Sequence, residues 1–124
     1  MFRWYQQAHY CCARLHDLSK AQWSATHGLQ SFQRSGYFDR GWTLQELIAP
    51  DRMMFITSDW HLIGYQTHVD LIGTIATTTR VPPQVLNNYR TMQKIPVEDR
   101  VRWLLHRTTL RTEDMAYCLL GICE

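Results

Sequence analysis

No apolar run in this chain approaches the roughly 18 residues that a membrane-spanning helix needs, and no basic stretch followed by an apolar core opens it. Neither a membrane partner nor a secretory signal is therefore expected. Lys/Arg clusters are also lacking, and a net charge of +2 leaves no electrostatic footprint for nucleic acid. No G-x-G-x-x-G follows a strand-like segment, which argues against a Rossmann-type nucleotide binder. Cysteine is sparse: Cys11 and Cys12 are adjacent, Cys118 and Cys123 are five apart, and neither pair has a zinc-site spacing. Reduced thiols in an intracellular, cytoplasmic protein are expected. The histidines, among them His27, His61 and His68, include no i,i+4 pair, so no metal site and no metal cofactor are expected.

What is present is enough for one domain over residues 1–124. The chain is 45% hydrophobic and 12% aromatic, a globular composition of a length that can bury a core. Residues 1–8 read as the last turns of a helix and residues 10–15 as a short buried strand. Residues 16–36 mix Ser, Gln, His and Gly and read as a long loop. Residues 53–57 read as a second strand, residues 60–64 as a turn or short strand, and residues 69–76 as a helix with Val69, Ile72 and Ile75 or Ala76 inward. Strand, helix, strand in that order predicts a parallel sheet flanked by helices, an α/β fold.

Val81-Pro82-Pro83 breaks the pattern, and Pro83 suits the first turn of a short helix through Asn88. Residues 97–107 form a longer helical pattern, with Val97, Val101, Leu104 and Leu105 as the inner stripe. Thr112 suits the cap of a last helix that carries Glu113 and Asp114 in its first turn, and Gly121 suits its end.

The segment from Phe38 to Pro50 is the richest in chemistry. Asp39 is the expected N-cap of a helix over 39–49, which Pro50 stops. Leu44, Leu47 and Ile48 make one apolar stripe, while Trp42 and Glu46, spaced i and i+4, share the other side with Ala49. A carboxylate beside an indole can be partly desolvated and face a ligand, as catalytic carboxylates do. The ordinary fate of a helical glutamate is a solvated surface position, and spacing leaves both open. Trp42 either stacks on a ligand ring or shapes the helix. Arg40 either meets a phosphate or pairs near Asp39. Arg107, Arg111, Glu113 and Asp114 read as caps and ion pairs, with Arg111 the one outside candidate for a site.

The run from Arg40 to Leu47 resembles the signature of the fungal heterokaryon-incompatibility (HET) domain. The opening block, Met1 to Ala8, is similar to the part of that family that precedes the signature. A later block, comprising Arg100, Trp103, Arg107, Thr109, Arg111, Glu113, Asp114, Ala116, Tyr117, Leu119 and Gly121, resembles its closing pattern. Two parts of the family pattern are not seen here: a Ser-Tyr-x-Trp-Gly type strand before the first block and a Tyr-Gly-Glu-Gly type segment after the last. The chain is thus expected to be the middle and end of such a domain, with an exposed sheet edge where the opening strand would pair.

HET domains are held to resemble TIR domains, which have a flavodoxin-like parallel sheet. The resemblance implies that fold here, incomplete at its N-terminus, and a role in fungal self/non-self recognition and programmed cell death. In catalytic TIR domains a helix with Trp-Cys-x-x-Glu-Leu presents a glutamate that splits NAD. The matching positions are Trp42, Thr43, Glu46 and Leu47, with Thr43 in place of the cysteine. By resemblance, Glu46 is the catalytic candidate and Trp42 and Arg40 are the nucleotide-binding candidates. NAD is the implied substrate, with no other cofactor. The alternative is a non-catalytic module, or an inactive fragment, that signals through copies of itself or through other incompatibility proteins.

Overall fold

The computed structural model describes residue 7, residues 10–50, 52–105 and 107, and residues 112–123. Apart from the single helical residue Gln7, the expected helix over 1–8 lies outside them, as do Thr109 and Arg111.

The first strand, β1 (Cys11–Arg14), buries Ala13 and leaves its neighbours more exposed, the alternation of a pleated strand. Residues 16–36 depart from the expected loop. They contain helix α1 (Lys20–Ser24), helix α2 (Gly28–Gln33) and a 3-10 turn over Gly36–Asp39. The missed signal is a capping box: Gln22 N donates to Ser19 Oγ, and Ser19 N donates to Gln22 Oε1 at 2.8 Å. Trp23 and Phe32 then pin the two short helices to the core, their ring centroids 6.0 Å apart.

The signature helix is α3 (Gly41–Ile48). Its N-cap is Arg40, not Asp39, which ends the preceding 3-10 turn. Leu44, Leu47 and Ile48 are buried as the stripe requires, but so are Thr43, Gln45 and Ala49. Ala49 therefore does not share an open face with Trp42 and Glu46, which remain half-buried. The helix is wrapped on nearly all sides, and those two positions are its least enclosed ones beyond Arg40.

Strand β2 (Met53–Ile56) pairs with β1 in parallel, Cys11 opposite Met53 and Arg14 opposite Ile56, with α1, α2 and α3 in the crossover between them. Strand β3 (Leu62–Tyr65) runs antiparallel to β2. The expected parallel arrangement thus holds for β1 and β2, and a hairpin adds the third strand to make a mixed sheet of order β1-β2-β3. The connection between β2 and β3 is too short for a parallel crossover, which needs a dozen residues or more. The architecture is α/β, a three-stranded sheet flanked by helices.

Helix α4 (Val69–Thr79) buries Leu71, Ile75 and Thr79, spaced by four, while Val69 is 81% exposed. The inner stripe is therefore offset from the expected one. Helix α5 (Pro83–Asn87) begins on Pro83 as the sequence predicts. The expected helix over 97–107 stops early: α6 is Val97–Arg102, followed by a turn in which Trp103 and Leu104 are buried and Leu105 is exposed. Arg100, on its buried face, donates to the carbonyls of Ile95 at 2.9 Å and Ile122 at 3.1 Å. Those bonds turn a charged residue inward where the apolar Val97 was expected.

Helix α7 (Thr112–Cys123) continues through Gly121 rather than ending there. A Cβ at Gly121 would lie 2.5 Å from Gln45 Nε2, so the glycine admits close packing of α7 on α3. Among the described residues no helix is long and apolar enough to cross a membrane.

Four rings form the heart of the core. Phe32 meets Phe38 and Phe55 edge-on at centroid distances of 5.2 and 5.3 Å, and Tyr37 meets Phe38 and Phe55 at 5.4 and 5.9 Å. Edge-to-face geometry of this kind adds stabilisation beyond burial. One close approach below this cluster is testable. A Cβ at Gly28 would overlap the backbone carbonyl of Trp23, whereas Gly73, inside α4, faces open space. Gly28→Ala should destabilise by about 1–3 kcal/mol, and Gly73→Ala should stabilise by about 0.5–1 kcal/mol. Urea midpoints of the two variants beside the parent chain will check the contrast.

Candidate functional site

The site grows from the 3-10 turn and the first turns of α3. Ser35 caps the turn, its Oγ accepting from Tyr37 N and donating to Asp17 Oδ1 at 2.6 Å, while Gly36 N donates to Asp17 Oδ2 at 2.8 Å. Tyr37 is thereby delivered into the aromatic cluster with its hydroxyl pointing at α3. That hydroxyl donates to Glu46 Oε2 at 3.0 Å. One carboxylate oxygen of Glu46 is therefore held by a buried phenol, nine residues upstream.

Electrostatics agree with that orientation. Burial, reinforced by the Glu46 charge and the hydrogen bond to it, pushes ionisation of Tyr37 well above the ordinary phenol range. The hydroxyl remains a donor. Cys11, at the start of β1, is also raised, first by burial and then by the charges of Glu46 and Cys12. A thiol in that condition is a poor nucleophile at neutral pH.

Thr43 is committed to holding the first turn of α3. Its buried hydroxyl lies 2.6 Å from Tyr37 O and 2.7 Å from Arg40 O, sharing one proton between two carbonyls. It also accepts from Arg107 Nη1 at 2.8 Å. The same Nη1 donates to Arg40 O at 2.9 Å, and Arg107 Nε donates to Trp103 O at 3.2 Å. Arg107 thus ties the turn after α6 to the start of α3.

The three candidates from sequence are placed differently. Glu46 and Trp42 are half-buried one turn apart on α3, Trp42 packing against the core. Arg40 contributes its carbonyl to the Arg107–Thr43 network, and its side chain is exposed. Arg111 lies outside the described residues, and Glu113 is exposed at the start of α7. Tyr37 and Arg107 are the residues that sequence reasoning did not assign to this neighbourhood. The spacing of Tyr37 from Glu46 follows neither helix nor strand period, so only the folded turn brings them together.

A groove of about 620 Å³ lies elsewhere, between the α1–α2 connection and the β3–α4 segment, with Trp23, His27, Ile63, His68, Asp70 and Leu71 in its wall. Glu46, Trp42 and Arg40 are not part of that lining. Among the described residues, no group of three or more His, Cys, Asp or Glu side chains is placed to hold a metal ion.

Fold and site together define an α/β domain in which one glutamate on a short, almost fully enclosed helix is oriented by a buried tyrosine. The chain is similar over its whole length to a segment of the vegetative incompatibility protein HET-E-1 of Podospora anserina, 38% identical over 127 aligned positions. It spans 9% of the length of that relative. No protein-family model matches the chain, and no solved structure matches it.

Asp17 offers a test of how the turn is held. Burial pushes its carboxyl upward, but the hydrogen bonds from Ser35 and Gly36 outweigh burial and bring the acid below its ordinary value of 3.8. The resulting stability is complete above that unfolded value and is lost as the pH falls through the lower folded one. Asp17→Asn should cost about 0.5–1 kcal/mol at pH 7, the exposed carboxylate being screened by solvent. It should also flatten the loss of stability below about pH 4, which urea midpoints at pH 7 and pH 3 will detect.

Proposed function

We propose that this domain acts in heterokaryon incompatibility and that it does so by cleaving NAD at the nicotinamide–ribose bond, with Glu46 as the catalytic carboxylate. The observation that carries the proposal is the 3.0 Å hydrogen bond from buried Tyr37 to Glu46 Oε2, which fixes a half-buried carboxylate beside Trp42. Surface glutamates are rarely immobilised in this way, because holding a long side chain costs rotamer entropy for little return in water. The part in incompatibility is supported by the similarity to HET-E-1.

The chemistry follows from the charge. As the C1′–N bond breaks, its electron pair passes to the pyridine nitrogen, nicotinamide leaves neutral, and the ribose acquires oxocarbenium character. A carboxylate already oriented at the sugar stabilises that positive charge without reorganising. Water then adds at C1′ and releases a proton, giving ADP-ribose. Tyr37 acts through Glu46 as a positioning residue. Trp42 supplies an aromatic wall, and Arg40, exposed at the helix start, is in reach of solvent for a phosphate.

A second reading is favoured by one feature, the exposed apolar residues Trp60, Leu62, Tyr65 and Val69 along β3 and the start of α4. In it the domain recognises a protein, a second copy included, and performs no reaction. Nicotinamide release from NAD by the purified chain, beside Glu46→Gln and Tyr37→Phe, separates the two. Turnover is expected in the parent and lost in Glu46→Gln, while Tyr37→Phe slows kcat about tenfold. A folded parent chain without turnover overturns the enzyme reading and leaves the recognition module.

A further inference from the structure

Arg107 is 6% exposed, and no carboxylate among the described residues lies within ion-pair distance of it. Its Nε and Nη1 are engaged by Trp103, Arg40 and Thr43, while Nη2 is buried with no hydrogen-bond partner among the described residues. Burial lowers the pKa of Arg107 to about 10, so the group is still charged at neutral pH. A buried charge is ordinarily paired, because an unpaired one carries a large desolvation cost. Among the described residues Asp39 attracts it through space, but no ion pair forms.

Beside it lies a small cleft of about 70 Å³ whose wall includes Arg80, Arg102 and Arg107 together with Thr78, Thr79 and Asp39. Three arginines and one aspartate line it. Arg80 caps α4 in the left-handed conformation, φ 64°, which a non-glycine residue adopts at a cost and which sets its side chain at the cleft. Among the described residues Arg102 pairs with Asp99, at 3.4 Å and on the exposed surface, a pair that yields readily to a stronger partner. The hydroxyls of Thr78 and Thr79 already donate to Thr74 O and Ile75 O. The donors left for a ligand are guanidinium N–H groups.

We infer that the cleft between α4 and the turn after α6 is a binding site for a phosphate-sized oxyanion, held by Arg80, Arg102 and Arg107. Guanidinium forks match the geometry of phosphate oxygens, and a bound dianion would neutralise the positive charge that Asp39 does not offset. The ligand is inorganic phosphate or the terminal phosphate of a monoester, which present the same oxygens. The inference does not depend on Glu46 or on turnover of NAD.

Titration calorimetry of the purified chain with inorganic phosphate, against chloride at matched ionic strength, tests it. Saturable binding is expected in the parent and in Glu46→Gln, and about tenfold weaker binding or none in Arg80→Gln/Arg102→Gln. Both substituted arginines are exposed, so that variant should retain the fold, which its thermal unfolding will verify. Methyl phosphate binding as tightly as the free ion would assign the site to esterified phosphate, and binding of the free ion alone would assign it to inorganic phosphate. Absence of saturable binding in the parent, or equal binding in the arginine variant, overturns the inference.

Discussion

The guanidinium of Arg107 reaches back 67 residues to the carbonyl of Arg40, and the remainder of the site depends on where that contact sets the first turn of α3. The carbonyl belongs to the N-cap of a helix with no side-chain cap of its own. In place of a capping hydroxyl, Thr43 and Arg107 together hold the entry to the helix, and Thr43 extends the grip to Tyr37 O. The result fixes the turn and the helix relative to one another. Only with both fixed does the Tyr37 hydroxyl fall within hydrogen-bond distance of Glu46.

This arrangement has an energetic consequence. A buried guanidinium is costly unless each donor is met, and the chain meets Nε and Nη1 with backbone and hydroxyl oxygens rather than with a carboxylate. Neutral acceptors preserve the positive charge instead of cancelling it. That charge, offset in part by Asp39, lies close to the N-terminus of α3, whose own dipole has the same sign. An anionic ligand suits such a place on physical grounds alone.

The core explains why so small a domain can support these polar contacts. Phe32, Phe38, Phe55 and Tyr37 interlock edge-on, and Trp23 extends the stack toward the groove between α1–α2 and β3–α4. Tyr37 belongs to this cluster through its ring and to the site through its hydroxyl. Packing and the proposed site thus meet in one side chain, so loss of the ring would loosen the core as well as release Glu46.

Local pattern in the sequence determined the strands at Cys11–Arg14 and Met53–Ile56, the helix started by Pro83, and the buried stripe of Leu44, Leu47 and Ile48. Each depends on near neighbours, whose periodicity is visible in one dimension. It also identified Glu46 and Trp42 as neighbours on one helix, because i,i+4 spacing is a local fact. The capping box that starts α1, Ser19 with Gln22, is also a local signal, but the docking of Phe32 on the core, the inward turn of Arg100 and the passage of α7 through Gly121 were not legible. In each case a partner distant in sequence decided the outcome: Phe55 for Phe32, Ile122 for Arg100, Gln45 for Gly121. The same holds for the clamp on Glu46 and the unpaired charge of Arg107, since a hydrogen bond is set by distance in space and no periodicity along the chain encodes it.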